Sequence, residues 1–285
     1  MIPKILVTGS GGQLGKCIKD LDEGLLNIQY VNSSELDITN KRQVECFFEK
    51  NKFDWCINCA AYTAVDKAES DYETAFKVNV QGAKNLAESC KEYRVKLVHV
   101  STDFVFDGAS NKPYKEVDDT NPIGAYGDTK LDGENEIAKI LNEHFIIRTS
   151  WLYSEHGNNF LKTMLRLSRD RDQLGVVGDQ IGTPTYAKDL AKAILHIIEN
   201  DLSDYGIYHY SNNGVASWYD FAKAIFDITN SSIQLNNITT AQFPTPAKRP
   251  HFSVLDKTKT EITFKLEIPY WRDSLIAAIQ NIKNE

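Results

Sequence analysis

The glycine-rich segment at residues 8–15 constrains the fold more than any other part of the chain. Its sequence is Thr-Gly-Ser-Gly-Gly-Gln-Leu-Gly, and it joins a strand-like run at residues 4–8 to a helical pattern that begins at Gln13. Glycines here permit a tight turn and let backbone N–H groups approach a pyrophosphate at the helix N-terminus. The segment therefore predicts a dinucleotide-binding βαβ unit. The expected contacts to the cofactor in this unit are Gly9, Gly11, Gly12, Gln13, Leu14 and Gly15.

Short β-branched runs alternate with longer helical patterns through the first half of the chain. The strand-like runs lie at residues 4–8, 28–31, 55–59, 96–101 and 145–147. The helical patterns lie at residues 13–21, 41–51, 74–93 and 125–141, and the second of these is N-capped by Thr39 or Asn40. Such alternation with near-continuous apolar strands predicts an α/β fold, a doubly wound parallel sheet of the Rossmann type with helices on both faces.

The second half of the chain has a looser pattern. Helical patterns at 157–169 and 187–199 surround a short strand-like run at 174–177, and another run follows at 206–211. No Gly/Ser-rich linker separates the two halves. We therefore predict a dinucleotide-binding domain at 1–155, to which segments near 174–214 return. Residues 156–285 are predicted to form mainly a smaller, mixed α/β C-terminal substrate lobe, interleaved with the first domain.

Composition and charge exclude several classes of function. The formal net charge is −7, and no run of five like charges occurs, so we expect no nucleic-acid or anionic-membrane partner. No stretch approaches the roughly eighteen apolar residues of a membrane span, and the N-terminus lacks a signal-peptide pattern. The five cysteines are an odd number, which suits a reducing compartment. These features predict a cytoplasmic protein.

Two of the cysteines, Cys56 and Cys59, have the C-x-x-C spacing of some metal and redox sites. They lie in an apolar run predicted to be a strand, where residues three apart point to opposite faces and cannot share a ligand. No second pair and no histidine cluster accompanies them. We expect buried cysteines and no metal site.

A tyrosine and a lysine four residues apart, Tyr126 and Lys130, lie near the start of a predicted helix. Their spacing places both side chains on one helix face. A phenol ordinarily titrates near about pH 10, and a nearby positive charge lowers that pKa. The segment Ser101-Thr102-Asp103 ends the fourth strand, at the sheet edge where ligands of such folds bind. The pattern predicts a phenol that transfers a proton beside a hydroxyl that holds a substrate carbonyl.

The end of the second strand ordinarily distinguishes the two nicotinamide cofactors. An acidic residue there binds the ribose 2′-hydroxyl of NAD, whereas an arginine accommodates the 2′-phosphate of NADP. This chain has Asn32-Ser33-Ser34 instead. Asp37 and Ile38 come slightly later, where they either flank the adenine or, for Asp37, cap a helix. The cofactor is therefore predicted to be NADH or NADPH, with the choice open.

Together these motifs resemble the extended short-chain dehydrogenase/reductase family. The family pattern T-G-x-x-G-x-x-G is met at residues 8–15 and Y-x-x-x-K at 126–130, with a Ser/Thr about two dozen residues upstream. Longer blocks resemble the branch of the family that reduces dTDP-4-dehydrorhamnose, and they cover nearly the whole chain. These blocks lie at residues 58–69, 101–108, 148–153, 157–160 and 179–185.

The resemblance implies hydride transfer to the C4 carbonyl of dTDP-4-dehydro-β-L-rhamnose, which gives dTDP-L-rhamnose. Tyr126 would protonate the forming alkoxide, Lys130 would lower the phenol pKa and hold the nicotinamide ribose, and Thr102 would position the carbonyl. The resemblance places Ala60, Ala61 and Tyr62 along the cofactor ribose. It also implies substrate contacts at Thr63, Val65, Asp103, Phe104 and Trp151.

Two of the implied contacts keep an alternative. Trp151 is either a sugar contact or a core residue packed after a strand. Arg249 either binds the substrate diphosphate, for which a guanidinium fork is suited, or forms a surface salt bridge. Both alternatives stay open at the level of sequence.

Departures from the family pattern limit other expectations. Some members carry a glutamate at position 17 that contributes to a magnesium-linked dimer, but this chain has Cys17. Magnesium is therefore possible but unsupported, and the chain is expected to be a monomer or a homo-oligomer. Dehydratases of the family have an Asp-Glu pair where this chain has Asp103 and Phe104. The remaining alternatives are another nucleotide-sugar epimerase or reductase, and a non-catalytic dinucleotide-binding regulatory subunit.

Overall fold

The structure, a computed structural model, describes residues 2–22, 24 and 26–284. Its strands, numbered in chain order, are β1 (Lys4–Thr8), β2 (Asn27–Val31), β3 (Trp55–Asn58), β4 (Lys96–Thr102), β5 (His144–Thr149), β6 (Leu152–Tyr153), β7 (Gln173–Val177), β8 (Ile181–Gly182), β9 (Thr185–Tyr186), β10 (Gly206–His209), β11 (Ala216–Ser217) and β12 (Gln234–Ile238).

The helices are numbered in the same way. They are α1 (Gln13–Leu21), α2 (Lys41–Asn51), α3 (Val65–Ala68), α4 (Tyr72–Phe76), α5 (Ala83–Tyr93), α6 (Ala125–Ile140), α7 (Phe160–Asp170), α8 (Ala187–Glu199), α9 (Trp218–Thr229), α10 (Thr258–Phe264) and α11 (Trp271–Asn284). A π-helical turn, Lys77–Gly82, joins α4 to α5, and 3₁₀ turns lie at Asp103–Val105 and Thr240–Gln242. Within the described ranges, no helix has the length and apolarity needed to cross a membrane.

A parallel six-stranded sheet with the order β2-β1-β3-β4-β5-β10 forms the centre of the molecule. Its strands are apolar on both faces because helices cover both. Side chains such as Ile5 and Ile57 pack against α1 and α8, whereas Leu6 and Cys56 pack against α2, α5 and α6. The predicted doubly wound α/β sheet of the Rossmann type is confirmed.

The order of the strands reverses between β1 and β3, so the chain leaves these two neighbours in opposite directions. A reversal of this kind opens a crevice at the carboxyl edge of a parallel sheet. In register, Thr8 of β1 lies beside Asn58 of β3, and Asn58 lies beside His99 of β4. The glycine-rich segment and the segments that follow β3 and β4 therefore meet around one crevice.

A second apolar cluster lies in the C-terminal lobe, where α7, α9 and α11 pack around residues such as Met164, Phe221 and Leu275. In this lobe β7 pairs with β12, whereas β10 joins the central sheet beside β5 and α8 packs beside α1. Residues 173–177 therefore pair with β12, whereas residues 206–209 belong to the central sheet. The division of the chain near residue 155 stays a prediction.

The structure corrects one local boundary and chooses between the two N-cap residues offered for α2. The helix expected at 74–93 begins at Tyr72, and the π-helical turn interrupts it. The turn carries Asn79, whose side chain accepts a hydrogen bond from Tyr62 N at 2.9 Å and donates one to Tyr62 O at 3.2 Å. The N-cap of α2 is Asn40, because its side chain accepts from Gln43 N at 3.1 Å.

Candidate active site

Two adjoining clefts open at the carboxyl edge of the sheet. The larger has a volume of about 600 Å³ and the smaller about 390 Å³, and both are lined by the glycine-rich segment. The predicted residues along the larger cleft are Gly9, Gly11, Gly12, Gln13, Leu14, Gly15, Ala61, Thr63, Val65, Thr102, Asp103, Phe104, Tyr126, Lys130, Trp151 and Arg249. Those that line only the smaller cleft are Asn32, Asp37, Ile38, Ala60 and Tyr62, and those that line both are Gly9, Gly11, Gly12 and Ala61.

The glycine-rich segment lies tightly against its neighbours. Gly9 has a φ of +66°, and a Cβ on it would lie 2.5 Å from the backbone nitrogen of Ala60. A Cβ on Gly15 would lie 2.6 Å from Cα of Ser10. Helix α1 begins after Gly12, which offers no side chain to cap the first turn. The first-turn N–H groups are therefore suited to phosphate oxygens.

The smaller cleft contains the residues that were expected to choose the cofactor. Asn32 Oδ1 accepts hydrogen bonds from Ser34 N at 2.9 Å and Ser34 Oγ at 2.6 Å. Asp37 Oδ1 accepts from Thr39 N at 2.9 Å and Thr39 Oγ1 at 2.8 Å, so its carboxylate stabilises the turn before α2. The end of β2 thus presents a neutral amide, which neither attracts nor repels a 2′-phosphate strongly.

Tyr126 lies in the first turn of α6, with the ring of Phe104 edge-on at a centroid distance of 5.6 Å. The pKa of its phenol is raised to about 12, chiefly by burial; a hydrogen bond with Thr102 lowers it in part, and the charge of Asp103 acts in the same direction as burial. The phenol is therefore protonated at neutral pH. This is the form that can donate a proton to a substrate oxygen.

Lys130 lies one helical turn later and is fully buried. Its Nζ donates to Val100 O at 2.7 Å and lies 3.2 Å from His99 Nε2. Burial lowers the pKa of this amine to about 8, against the opposing charges of Glu134 and Cys59. The expected lowering of the Tyr126 pKa by Lys130 is not what this geometry gives, because desolvation of the phenol dominates and raises that pKa.

The carboxyl group of Asp103 is buried next to the hydroxyl expected to hold the carbonyl. Thr102 Oγ1 donates to Asp103 Oδ1 at 3.1 Å, and Thr102 Oγ1 also accepts from Phe104 N at 3.2 Å. Burial raises the pKa of Asp103 to about 6, although hydrogen bonds from Ser253 and Thr102 lower it in part. Thr102 is thus held in one orientation between a carboxyl group and a backbone N–H.

Aromatic and charged side chains form the far wall of the larger cleft. Trp151 and Trp218 both line this wall, and Thr63 and Val65 lie on it as well. Arg249 also lines the cleft, and its guanidinium binds Asp66 through two bonds, from Nη1 at 3.0 Å and from Nη2 at 2.8 Å. The salt bridge that was one alternative for Arg249 is therefore present, and the residue keeps its place on the cleft wall.

Some cleft residues were not singled out from the sequence. They are Gly157, Asn158, Asn159 and Trp218. Asn159 Nδ2 and Ser154 Oγ donate to Gln13 Oε1 at 2.8 and 3.0 Å, which ties the loop after β6 to the start of α1. The block at 157–160 was part of the family resemblance and pointed to this loop, whereas no sequence signal pointed to Trp218.

The side chain at position 17 does not fit magnesium. Magnesium prefers oxygen ligands, whereas Cys17 is fully buried and burial raises the pKa of its thiol to about 12. In the described part of the chain, one group of possible ligands lies nearby, with ligand atoms of Asp20, Glu155 and His156 within 4.8 Å of one another. Asp20 and His156 already bond to each other at 2.5 Å. No step of the chemistry is therefore assigned to a metal.

Comparison with known proteins decides the family. The family model described as "RmlD substrate binding domain" matches residues 3–284. Over 284 residues, the chain is 44% identical to the dTDP-4-dehydrorhamnose reductase of Aggregatibacter actinomycetemcomitans, with 95% of this chain and 97% of the relative covered. The chain belongs to the dTDP-4-dehydrorhamnose reductase family. This confirms the resemblance of the sequence blocks to that branch.

Solved structures of dTDP-4-dehydrorhamnose reductases have the same fold. The protein of Clostridium acetobutylicum superposes with a TM-score of 0.95 at 44% identity, covering 98% of this chain and 99% of that chain. The protein of Bacillus anthracis, solved in complex with NADP, also gives a TM-score of 0.95, at 39% identity and with 99% and 100% covered. Members of the dTDP-4-dehydrorhamnose reductase family thus match nearly the whole of this chain.

Proposed function

We propose that this chain transfers hydride from NAD(P)H to the C4 carbonyl of dTDP-4-dehydro-β-L-rhamnose and so forms dTDP-L-rhamnose. One observation carries the proposal. The protonated phenol of Tyr126 and the oriented hydroxyl of Thr102 lie on the same cleft as the N-terminus of α1, which is suited to phosphate. Relatives that match nearly the whole chain are named as reductases of this sugar nucleotide.

Each catalytic side chain has a defined task in the proposed reaction. When bound, the reduced nicotinamide supplies the hydride. Tyr126 gives its proton to the C4 oxygen as negative charge develops there, which its high pKa permits only at the moment of reduction. Thr102 would position the carbonyl by donating its one hydroxyl hydrogen to the carbonyl oxygen in place of Asp103, while Phe104 N continues to donate to the same hydroxyl oxygen. Lys130 would bind the nicotinamide ribose from the floor of the cleft.

The two clefts suggest how the cofactor is held. The first turn of α1 would bind the pyrophosphate, and Ala60, Ala61 and Tyr62 would flank the ribose between the clefts. At the adenosine end, Asn32 offers an uncharged amide where NAD-specific chains have an acid. A relative was solved with NADP. We infer that the site accepts NADPH as well as NADH.

The far wall of the larger cleft is suited to the sugar and its diphosphate. Trp151 lines the cleft where it would contact the deoxysugar, and Thr63, Val65 and Phe104 complete an apolar pocket around it. Arg249 is held in place by Asp66, and a guanidinium carries five N–H donors, so donors remain for a diphosphate oxygen. We infer that Asp66 orients Arg249 toward the substrate.

Absorbance of the reduced nicotinamide tests this function directly. Purified protein is mixed with dTDP-4-dehydrorhamnose generated in situ, and NADH and NADPH are tried separately, with and without magnesium. We expect stoichiometric oxidation and formation of dTDP-L-rhamnose. Cofactor binding without oxidation would instead favour another nucleotide sugar, or the non-catalytic regulatory role.

The cellular setting is proposed on chemical grounds. All five cysteines are unpaired thiols, and unpaired thiols persist in reducing compartments. We infer a cytoplasmic enzyme whose partner is a dTDP-sugar and which needs neither nucleic acid nor membrane. Light scattering of the purified protein distinguishes a monomer from a homo-oligomer.

A further inference from the structure

A row of buried polar side chains crosses the carboxyl edge of the central sheet. Thr8, Asn58 and His99 occupy neighbouring positions on β1, β3 and β4, and the row ends at Lys130 of α6. Each of these four side chains is at most 1% exposed. Polar groups this deeply buried are costly unless they are paired, so the direction of each hydrogen bond in the row matters.

The backbone fixes the orientation of the Asn58 amide. Its Oδ1 accepts from Thr8 Oγ1 at 2.7 Å and from the backbone nitrogen of Ala60 at 3.1 Å. A backbone N–H can only donate, so the amide oxygen must stay on that side. The Nδ2 group therefore faces His99 Nδ1, 2.9 Å away, and donates to it.

This donation determines which ring nitrogen of His99 carries the hydrogen. Burial holds the pKa of His99 well below its ordinary value, and the charge of Lys130 lowers it further, so the ring is neutral. A neutral imidazole has one donor nitrogen and one acceptor nitrogen. Because Nδ1 accepts from Asn58, the hydrogen is on Nε2. That nitrogen lies 3.2 Å from Lys130 Nζ.

An N–H that faces an ammonium group is an unfavourable contact, because an ammonium has only donors. A neutral amine has a lone pair that can accept the same N–H. We propose that His99 is a positioning residue, whose Nε2–H, fixed by Asn58, favours the neutral amine of Lys130 and sets the pH range in which Lys130 carries its charge. Lys130 can donate to Val100 O in either state, so the side chain keeps its place.

The other charged and titratable groups around Lys130 do not account for this effect. Glu134 favours the ammonium, but its carboxylate is bound by Arg148 at 2.7 Å. Cys59 also favours the ammonium only as a thiolate, and burial raises the pKa of that thiol far above neutral. His144 acts on His99 in the same direction as Lys130 does. Two influences that lower the pKa of Lys130 therefore remain, namely its burial and the Nε2–H of His99.

The proposal rests on the proposed function, in that Lys130 acts at the cofactor ribose. Lys130 would lose its charge near pH 8 rather than near the ordinary value of 10.5. The rate of the proposed reduction would then fall on the alkaline side as that charge is lost. Without the Nε2–H, the alkaline limit would move to higher pH.

His99→Phe separates this effect from burial. Phenylalanine keeps an aromatic ring of similar size and keeps water out, but it presents no N–H to Lys130. The titration midpoint of Lys130 is the pH at which half of its amines carry a proton. If burial alone lowers it, this midpoint should be unchanged or lower in His99→Phe. The proposal instead predicts that it rises by at least one pH unit. That shift corresponds to a tenfold change in the proton dissociation constant.

The titration is followed by NMR of protein labelled with ¹³C at the lysine ε-carbon, with the Lys130 signal identified by its loss in Lys130→Met. His209→Phe is the matched control, because His209 is also fully buried and bonds to Tyr114 O rather than to a lysine. We expect its Lys130 midpoint to equal that of the unaltered protein. An unchanged Lys130 midpoint in His99→Phe overturns the proposal.

Asn58→Asp is a second variant, which changes the hydrogen on His99 Nε2 without replacing His99 itself. Aspartate still accepts from Thr8 and Ala60, but its second oxygen draws the hydrogen of His99 to Nδ1 and leaves the Nε2 lone pair facing Lys130. The Lys130 midpoint is again expected to rise, but the charge of the new carboxylate acts in the same direction. A rise therefore supports the proposal only together with the rise in His99→Phe, and a fall would contradict it. These titrations need no substrate, so they can succeed even if turnover with the dTDP-sugar fails. If turnover occurs, the alkaline limit of kcat should move with the NMR midpoint.

Discussion

The indole of Trp151 stacks on that of Trp218, with ring centroids 3.6 Å apart and planes 9° from parallel. Trp151 follows β5 with a φ of 47°, which is rare for a bulky residue. Gly182 leaves room for this arrangement, because a Cβ there would lie 2.7 Å from the indole of Trp151. The stack therefore forms one rigid wall of the larger cleft from two segments that are distant in sequence.

Replacing Trp218 by leucine is expected to weaken substrate binding more than it slows the chemical step. Loss of a stacked aromatic pair costs about 1 kcal/mol, which corresponds to roughly a fivefold rise in KM for the sugar nucleotide. The near-ultraviolet circular dichroism of the coupled indoles should fall at the same time. Steady-state kinetics and dichroism together check this. Tyr219→Leu is the control, since Tyr219 packs in the lobe core, and equal effects in both variants would contradict the prediction.

Tyr126→Phe is expected to abolish reduction while cofactor binding survives. The change removes the proton donor but keeps the ring that packs against Phe104. General-acid catalysis contributes about 10²–10⁴ in rate, so kcat should fall by at least about a hundredfold. Fluorescence titration with NADPH measures the surviving affinity. In Tyr72→Phe, a control on a tyrosine that bonds to Asp128 of the same helix, activity should stay near that of the unaltered protein.

Asn32→Asp is expected to shift the cofactor preference toward NADH. A carboxylate at the end of β2 would bind the ribose 2′-hydroxyl of NADH and repel the 2′-phosphate of NADPH. We expect the ratio of the two KM values to change by roughly tenfold, about 1.4 kcal/mol. Asn40→Asp, at the cap of α2, is the matched control. An unchanged ratio of the two KM values in Asn32→Asp would mean that the ribose 2′ position of the cofactor does not bind beside residue 32.

Glu134→Ala is expected to destabilise the fold strongly. Glu134 and Arg148 form a buried ion pair between α6 and β5, with side chains 2% and 3% exposed. Removing one partner leaves a buried charge without compensation, which costs about 3–5 kcal/mol. Urea unfolding measures the loss. Glu73→Ala is the control, because the ion pair of Glu73 with Lys77 is exposed and screened by water. Similar losses of unfolding free energy in both variants would mean that the buried ion pair stabilises the fold no more than the exposed one does.

Asp103 is expected to make stability depend on pH in an unusual direction. Its pKa is about 6 in the folded chain against an ordinary value of 3.8, so the folded state binds the proton more tightly than the unfolded state does. Ionisation of this carboxyl group therefore lowers the free energy of unfolding. The loss is absent below about pH 4 and grows to about 3 kcal/mol as the pH rises past 6.

Asp103→Asn should therefore match the unaltered protein at pH 4 and exceed its stability at pH 7, as measured by urea unfolding at several pH values. Asp107→Asn should show the opposite dependence, because hydrogen bonds from Ala109 N and Tyr114 lower the pKa of Asp107 in the folded chain. A difference between Asp103→Asn and the unaltered protein that is constant from pH 4 to 7 would contradict the assigned pKa.

Much of the fold was predictable because its signals are local. The glycine pattern before α1 and the alternation of apolar strands with helices fixed the parallel sheet, and α8 begins and ends where its apolar period indicates. Boundaries set by tertiary contacts were less predictable. The π-helical turn after α4 carries Asn79, whose side chain bonds to the backbone of Tyr62, 17 residues earlier and outside the helix. No local pattern encodes such a partner.

The sequence by itself determined the sheet, the cofactor loop and the residue types of the proposed chemistry, because spacing along a strand or helix fixes which side chains share a face. Only the tertiary structure decided the pKa values of these residues. Tyr126 has a raised pKa and Lys130 a lowered one because both are desolvated. Burial is a property of everything packed around a group, as is the stack that brings Trp218 onto Trp151. Neither can be obtained from the spacing of residues along the chain.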